Sequence, residues 1–240
     1  MQRFMKAVTF SYDDGVTQDQ RLIELFNKYG LKCTFNINSG LLGQAGSLIR
    51  EDVTVAHCKP RACEVRNIYR GHEIAAHTLT HPNLCKLPDG EVIRQVEEDR
   101  LALSEIAGYE VVGMAYPGGG INYDERVVRL IREHTKIRYA RTTIGSNSFE
   151  LQEDLLSFKP TAYHHESLPA LFETGRRFLA AQSDRPQILY VWGHAYEFDI
   201  HNTWKEFEEF CRMISGHPDI FYGTNREVLL GEPFGESCGA

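Results

Sequence analysis

The chain has 240 residues, of which 42% are hydrophobic, and it carries a net charge of −7. A chain of this size and composition can bury a sizeable core, and we expect a single domain over residues 1–240. The absence of any block of Lys or Arg argues against a nucleic-acid surface and a polybasic membrane anchor, and no apolar run is long enough to span a bilayer.

The N-terminus and the cysteines favour a cytoplasmic protein. Residues 1–6 lead into a strand-like run without the apolar stretch of a secretory signal, although a chain whose signal has been removed looks the same. The six cysteines are scattered without Cys-x-x-Cys pairs, which is typical of reduced thiols rather than of a zinc ribbon or a disulfide framework. His57, Cys58 and Cys63 are a weaker candidate for a second metal or redox site.

Strand-like and helix-like segments alternate along the chain. Short runs rich in β-branched and aromatic residues predict strands at 7–12, 33–36, 73–75, 111–116, 137–141, 161–165, 187–192 and 220–222. This alternation predicts an α/β fold with about seven parallel strands wrapped by helices, either as an open sheet or as a barrel.

Apolar residues at helical spacing predict helices near 17–30, 62–69, 89–108, 122–131, 168–181 and 203–214. Three pairs have capping-box or related spacing and predict helix starts: Thr17 with Gln20, Asn122 with Glu125, and Thr203 with Glu206. Residues 37–60 and 144–160 lack periodicity, and we expect loops there that shape a substrate cleft.

Several residues with functional chemistry directly follow predicted strands: Asp13, Asp14, His77, His81, Gly118 and His194. Because the carboxyl ends of parallel strands meet at one edge of a sheet, we expect these residues to gather there. The spacing of the two histidines allows both imidazoles to bind one metal ion, and one aspartate can supply an oxygen ligand. The other aspartate can accept a proton from a metal-activated water.

Two of these segments carry a resemblance to a known family. Thr9-Phe-Ser-Tyr-Asp-Asp-Gly15 resembles the Thr-Phe-Asp-Asp-Gly motif of the polysaccharide deacetylase (NodB-homology, carbohydrate esterase family 4) family. His77-Thr-Leu-Thr-His81 resembles its His-Ser/Thr-x-x-His motif, and the likeness runs from about residue 6 to about residue 200. It implies a distorted (β/α) barrel that hydrolyses N-acetyl groups of amino sugars with a divalent metal, usually Zn²⁺, sometimes Co²⁺ or Ni²⁺.

The resemblance also implies roles for individual residues. Asp13 corresponds to the general base, while Asp14, His77 and His81 correspond to the metal ligands. His194 corresponds to the general acid that protonates the departing amine.

A third segment, Ala115-Tyr-Pro-Gly118, resembles the motif that binds the oxyanion, with the donor on the backbone of Gly118. Tyr116 and Pro117 are the neighbouring candidates for substrate contact. Trp192 is expected either to stack on a sugar ring or to pack inside the fold.

Two departures from the family pattern affect the base and the acid. Ala115 stands where the family often has an Arg that orients the base, and we predict that Arg141, at the end of the next strand, reaches Asp13 instead. The family's fourth motif, an Asp-containing segment that tunes the acid histidine, is not recognisable between residues 140 and 160.

Structural interpretations compete with these roles. Asp13 and Asp14 before a glycine also fit a turn, and His194 alone also fits ordinary loop chemistry. His164 and His165 are adjacent in a strand, so at most one points into the site. Glu197 and Asp199 are most simply solvated loop acids.

The sequence therefore predicts a metal-dependent deacetylase that acts on an acetylated amino sugar or oligosaccharide, with no nucleic-acid or membrane partner. An allantoinase-like enzyme that acts on other linear C–N bonds and a catalytically silent carbohydrate-binding domain are the alternatives.

Overall fold

Parallel strands form the centre of the protein in the computed structural model, which describes residues 5–232. In chain order the strands are β1 (Lys6–Asp14), β2 (Cys33–Ile37), β3 (Ser47–Arg50), β4 (Val53–Ala56), β5 (Glu73–Ala76), β6 (Gly113–Ala115), β7 (Tyr139–Arg141), β8 (Ala162–Tyr163), β9 (Gln187–Gly193) and β10 (Ile220–Tyr222). Eight of the residues of β1 are buried, as expected for a parallel strand covered on both faces.

The main sheet curls into a distorted barrel. Its strands follow the order β7-β6-β5-β2-β1-β9-β8, and β10 pairs with the beginning of β1. The segment 158–163 pairs with β7 through Phe158 and with β9 through Tyr163, so it links the two sides of the curled sheet. The predicted α/β barrel class is confirmed. The described main sheet has eight strands, which correspond to the eight predicted strand segments and agree with the expectation of about seven.

Helices cover the outside of this sheet. They are α1 (Asp19–Lys28), α2 (Ala62–Ile68), α3 (Asp89–Ala107), α4 (Glu125–His134), α5 (Leu168–Ala180), α6 (Glu197–His201), α7 (Trp204–Ile214) and α8 (Asn225–Leu230). The predicted apolar stripe of α3 is buried at Val92, Val96 and Leu103. In residues 5–232 no helix has both the length and the apolar composition needed to cross a membrane.

The predicted helix starts differ from the observed ones. α4 is capped by Asp124, which accepts the backbone N–H of Val127 at 2.8 Å, and not by Asn122. α1 begins at Asp19 without a side-chain cap from Thr17. Thr203 does occupy the N-cap position of α7, but its side chain makes no capping hydrogen bond. The capping-box spacing alone therefore misplaced two starts and overstated the third.

The prediction of a continuous loop over residues 37–60 is wrong. β3 and β4 pair there as an antiparallel hairpin. Its turn residues, Glu51 and Asp52, have φ of 51° and 61°, the left-handed conformation required in the tight turns that usually contain Asn-Gly. Since neither residue is Gly or Asn, the sequence lacked the strongest signal for this type of turn.

Candidate active site

Side chains from four strand ends meet at the C-terminal edge of the sheet. Asp13 and Asp14 end β1, His77 follows β5, and Arg141 ends β7. His194 follows β9, whose end lies in register with β1 through the pair Tyr12 and Gly193. The predicted convergence thus follows from the parallel topology.

Asp14, His77 and His81 form a group that could hold a metal ion. One ligand atom from each lies within 4.8 Å of the others. Asp14 Oδ1 is 3.8 Å from His77 Nε2 and 3.6 Å from His81 Nε2. Asp14 and His81 have φ of 79° and 61°, a left-handed backbone that costs free energy in residues other than Gly and concentrates at functional sites.

His77 presents a free lone pair to this group. Its Nδ1–H donates to the carbonyl of Ala115 at 2.9 Å, which leaves Nε2 as the unprotonated nitrogen. Nε2 is buried and has no hydrogen-bond partner among the described residues. Burial lowers the pKa of His77 to about 4 despite the nearby Asp13, so the ring is neutral at physiological pH. A buried, unpartnered, neutral imidazole nitrogen facing a carboxylate fits a divalent cation.

Asp14 is held from its other side by residues of the 37–60 segment. His57 Nε2 lies 3.2 Å from Asp14 Oδ2, and Lys59 donates to the Asp14 backbone carbonyl at 2.6 Å. Burial alone would raise the pKa of Asp14, but the His57 hydrogen bond and nearby cationic groups hold that pKa well below its usual range. His57 is therefore a neighbour of the candidate metal group.

The weaker predicted site at His57, Cys58 and Cys63 does not form. Cys58 donates to the carbonyl of Gly46, and Cys63 is exposed on α2. The five described cysteines are free thiols, and Cys238 lies outside the described residues.

Asp13 is oriented by two donors. Its Oδ1 accepts from Asn36 Nδ2 at 2.8 Å, and its Oδ2 accepts from Arg141 Nη2. Arg141 is fully buried, and its guanidinium carbon lies 4.3 Å above the ring of Trp192. Arg141 pairs with Ala115 in the register of β6 and β7. An arginine on β7 therefore lies next to the β6 position where the family often has one.

His194 pairs with an acid that follows it by one helical turn. Its Nδ1 lies 3.1 Å from Glu197 Oε1, and its backbone N–H donates to Glu197 Oε2 at 3.0 Å. Burial would lower the pKa of His194, but the carboxylate of Glu197 overrides this and raises that pKa to about 9. The imidazole is therefore protonated at neutral pH and can serve as a proton donor.

The prediction that Glu197 is a solvated loop acid is wrong. Its side chain is fully buried, and it accepts from Arg50 Nη1 at 2.8 Å and from the hydroxyl of Tyr163. His164 Nε2 lies 3.2 Å away. Glu197 is thus a buried acid in direct contact with His194. Its only sequence signal was the spacing of three residues from His194.

The segment 115–118 contacts the candidate metal group through Ala115, whose carbonyl accepts from His77. Gly118 has a φ of 81°, and the direction of its absent Cβ is open. Asn122 braces this turn by donating to the carbonyl of Gly118 at 2.8 Å. Pro117 precedes this turn, and Tyr116 donates its hydroxyl to the carbonyl of Leu156 at 2.8 Å inside the core. Substrate contact by the Tyr116 phenol is therefore not favoured.

The aromatic residues next to His194 are mostly buried inside the fold. Trp192 is 5% exposed and stacks on Tyr163 with ring centroids 4.2 Å apart. Its indole N–H is buried and has no hydrogen-bond partner in the described part of the chain. Of the two adjacent histidines, His164 is buried and bonds the hydroxyl of Tyr12 at 2.8 Å, while His165 faces a different set of residues. The predicted strand over 161–165 ends at Tyr163, so both histidines lie in a turn, and their different directions do not come from the alternation of a strand.

The fold and this site together define an α/β barrel with a two-histidine, one-carboxylate group at the C-terminal edge of its sheet. Residues 3–139 match the family model described as polysaccharide deacetylase. This match covers more than half of the chain, which therefore belongs to the polysaccharide deacetylase family.

Relatives of known name support the same grouping. A peptidoglycan-N-acetylglucosamine deacetylase from Listeria monocytogenes is 23% identical over 119 residues, which are 49% of this chain and 22% of the relative. The match thus spans less than a quarter of that relative's length.

Two solved structures resemble the whole barrel. A family 4 carbohydrate esterase from Streptomyces lividans has a TM-score of 0.57 and 15% identity, over 92% of this chain and 93% of that one. A family 4 pseudoenzyme from Bacillus anthracis has a TM-score of 0.56 and 13% identity, over 95% of this chain and 66% of that one. At such identities these likenesses concern the fold.

Proposed function

We propose that this chain is a metal-dependent deacetylase that removes N-acetyl groups from an acetylated amino sugar or oligosaccharide, and that residues 1–240 are one catalytic unit. The observation that carries the proposal is the buried, unpartnered Nε2 of His77 facing Asp14 and His81. These three residues would hold the cation, with Zn²⁺ favoured by the imidazole and carboxylate ligands, and Co²⁺ or Ni²⁺ as substitutes. When bound, the cation supplies Lewis-acid polarisation of the acetyl carbonyl.

Asp13 is proposed as the general base. Both of its oxygens are already oriented, one by Asn36 and one by Arg141. Its Oδ2 lies 3.9 Å from His77 Nε2, which places it beside the metal group. In this position Asp13 takes a proton from the attacking water, while Arg141 holds the carboxylate in the required orientation.

His194 is proposed as the general acid. The amine that leaves an amide is a poor leaving group unless it is protonated as the C–N bond breaks. The Glu197 carboxylate keeps His194 charged at neutral pH, and the backbone N–H of Gly118 is the proposed donor to the developing oxyanion.

The direct test is metal removal and reloading. Acetate release from N-acetylglucosamine oligomers is expected to disappear after chelation and to return with one equivalent of Zn²⁺ at the Asp14 group. Activity that survives full demetallation would overturn the metal role. Metal binding without acetate release from any acetylated sugar would favour a silent binding domain, and release of product only from other linear C–N substrates would favour the allantoinase-like alternative.

Replacing Glu197 by Gln is expected to shift the pH profile of kcat/KM. Removing the carboxylate lowers the pKa of His194 from about 9 toward its ordinary value of 6.5, and the acid must be protonated to act. The alkaline limb of the profile therefore moves to lower pH. Glu173→Gln, an exposed acid on α5, is the matched control. An unmoved alkaline limb would separate Glu197 from the acid function.

The peptidoglycan named for the Listeria relative is a substrate of that protein, and for this chain it is one candidate polymer. The cytoplasmic location predicted from the sequence stays a prediction; a cytoplasmic enzyme would favour soluble acetylated sugars over a cell-wall polymer.

A further inference from the structure

A second cluster of ligand side chains lies on the surface outside the deacetylase site. It consists of Glu51 in the β3–β4 turn, His165 after β8 and His201 at the end of α6. His165 Nε2 lies 3.5 Å from Glu51 Oε1, and His201 Nε2 lies 3.7 Å from Glu51 Oε2. The two imidazole rings have centroids 4.5 Å apart. None of these residues takes part in the proposed chemistry.

The cluster matches the needs of a divalent cation. One ligand atom from each residue lies within 4.8 Å of the others. Tetrahedral Zn²⁺ with ligands at 2.0–2.1 Å keeps them about 3.4 Å apart, so the two carboxylate contacts already have nearly the required separation. The side chains are 55%, 18% and 32% exposed in the order Glu51, His165 and His201, so an ion reaches them from solvent and water can complete the coordination.

The three segments that form the cluster also supply the surroundings of the acid histidine. Glu51 follows Arg50, whose guanidinium contacts Glu197 at 2.8 Å. His165 follows His164, which lies 3.2 Å from the same carboxylate. His201 ends the short helix α6 that begins with Glu197. A cation at the cluster would therefore tie the hairpin to the two segments that hold Glu197.

We propose that Glu51, His165 and His201 form a second, structural site for a divalent cation of the Zn²⁺ type, which fixes the β3–β4 hairpin against the barrel. The energetic reason is that the hairpin tip makes few buried contacts, as its strands show mostly exposed residues, and a shared ion replaces a weak exposed ion pair with coordination bonds.

Zinc stoichiometry tests the site by equilibrium dialysis of demetallated protein followed by elemental analysis. The unmodified chain is expected to bind two equivalents, and the double variant His165→Ala/His201→Ala one. His81→Ala is expected to lose the other equivalent, and His134→Ala, an exposed histidine of α4, none. The proposal would be overturned if the double variant still bound two equivalents. It would also be overturned if the unmodified chain bound only one equivalent and the double variant bound it too. If the unmodified chain bound one equivalent and only the double variant lost it, the Glu51 site would stand and the site at Asp14 would be excluded.

Amide hydrogen exchange tests the fixing of the hairpin. Zn²⁺ is expected to raise protection over residues 47–56 in the unmodified chain and in His81→Ala, but not in His165→Ala/His201→Ala. Equal protection with and without Zn²⁺ in the unmodified chain would show that the ion does not hold the hairpin. Glu51→Gln should weaken Zn²⁺ binding at this site while leaving the fold intact, because the Glu51 side chain is 55% exposed.

Discussion

Asp13→Asn is expected to lower kcat for deacetylation by about 10²- to 10⁴-fold, the usual contribution of a positioned general base, while zinc content stays unchanged. The amide keeps the size of the carboxylate and can still occupy the space between Asn36 and Arg141. It cannot accept a proton from water at neutral pH. The measurement is kcat for acetate release, paired with elemental analysis of the same preparation.

Asp14→Asn is the matched control because it makes the same chemical change on the next residue. Asp14 faces His77 and His81 rather than Arg141, so its loss should remove the equivalent of zinc bound there and the activity together. If the two variants lost zinc equally, the division of labour between base and ligand would be wrong. If Asp13→Asn retained full activity, another group would have to be the base.

The positions of the main site residues could be predicted from the sequence because they depend on one topological rule. Each followed a recognisable strand, and parallel strands bring such residues to one edge. The register of the sheet then decides which side chains meet. It pairs Arg141 with Ala115 on the neighbouring strand. The predicted ends of the two strands do not by themselves define this pairing.

The residues that the sequence did not reveal depend on contacts between distant segments. Glu197 is buried because Arg50, 147 positions away, and Tyr163 close over it. His57 reaches Asp14 only because the unrecognised hairpin folds back over the end of β1. No local sequence pattern predicts such contacts, since Asp and Glu side chains are mostly exposed to solvent.

The charged groups of the site have neighbours of opposite charge. Arg141 forms an ion pair with Asp13, and Glu197 forms ion pairs with both Arg50 and His194. A buried charge without a partner is costly, so each group that must be ionised for chemistry has its counter-charge inside the fold. The arrangement implies that removing Glu197 will change the pKa of His194, and that removing Arg141 will change the position of Asp13, before either change affects substrate contact.

Arg141→Ala is expected to lower kcat by about 10²-fold, the cost of a small misplacement of a reacting group, with zinc content retained. Arg141 touches the base and not the metal group, since its guanidinium bonds Asp13 and the carbonyl of Thr142. The variant also leaves Asp13 without its buried cation, which costs about 3–5 kcal/mol of stability in typical cases. Activity is therefore measured below the midpoint of thermal unfolding, beside Arg138→Ala, an exposed arginine just before β7.

A double-mutant cycle separates positioning from simple support of the fold. If Arg141 acts through Asp13, the 10²-fold loss should largely vanish when Arg141→Ala is added to Asp13→Asn, because the carboxylate that it orients is already absent. Arg141→Lys should recover charge but not the planar, stacked geometry over Trp192, and so should restore stability more than kcat. Additive losses in the double variant would mean that Arg141 supports the site by another route, and the register-based replacement of the arginine missing at Ala115 would be wrong.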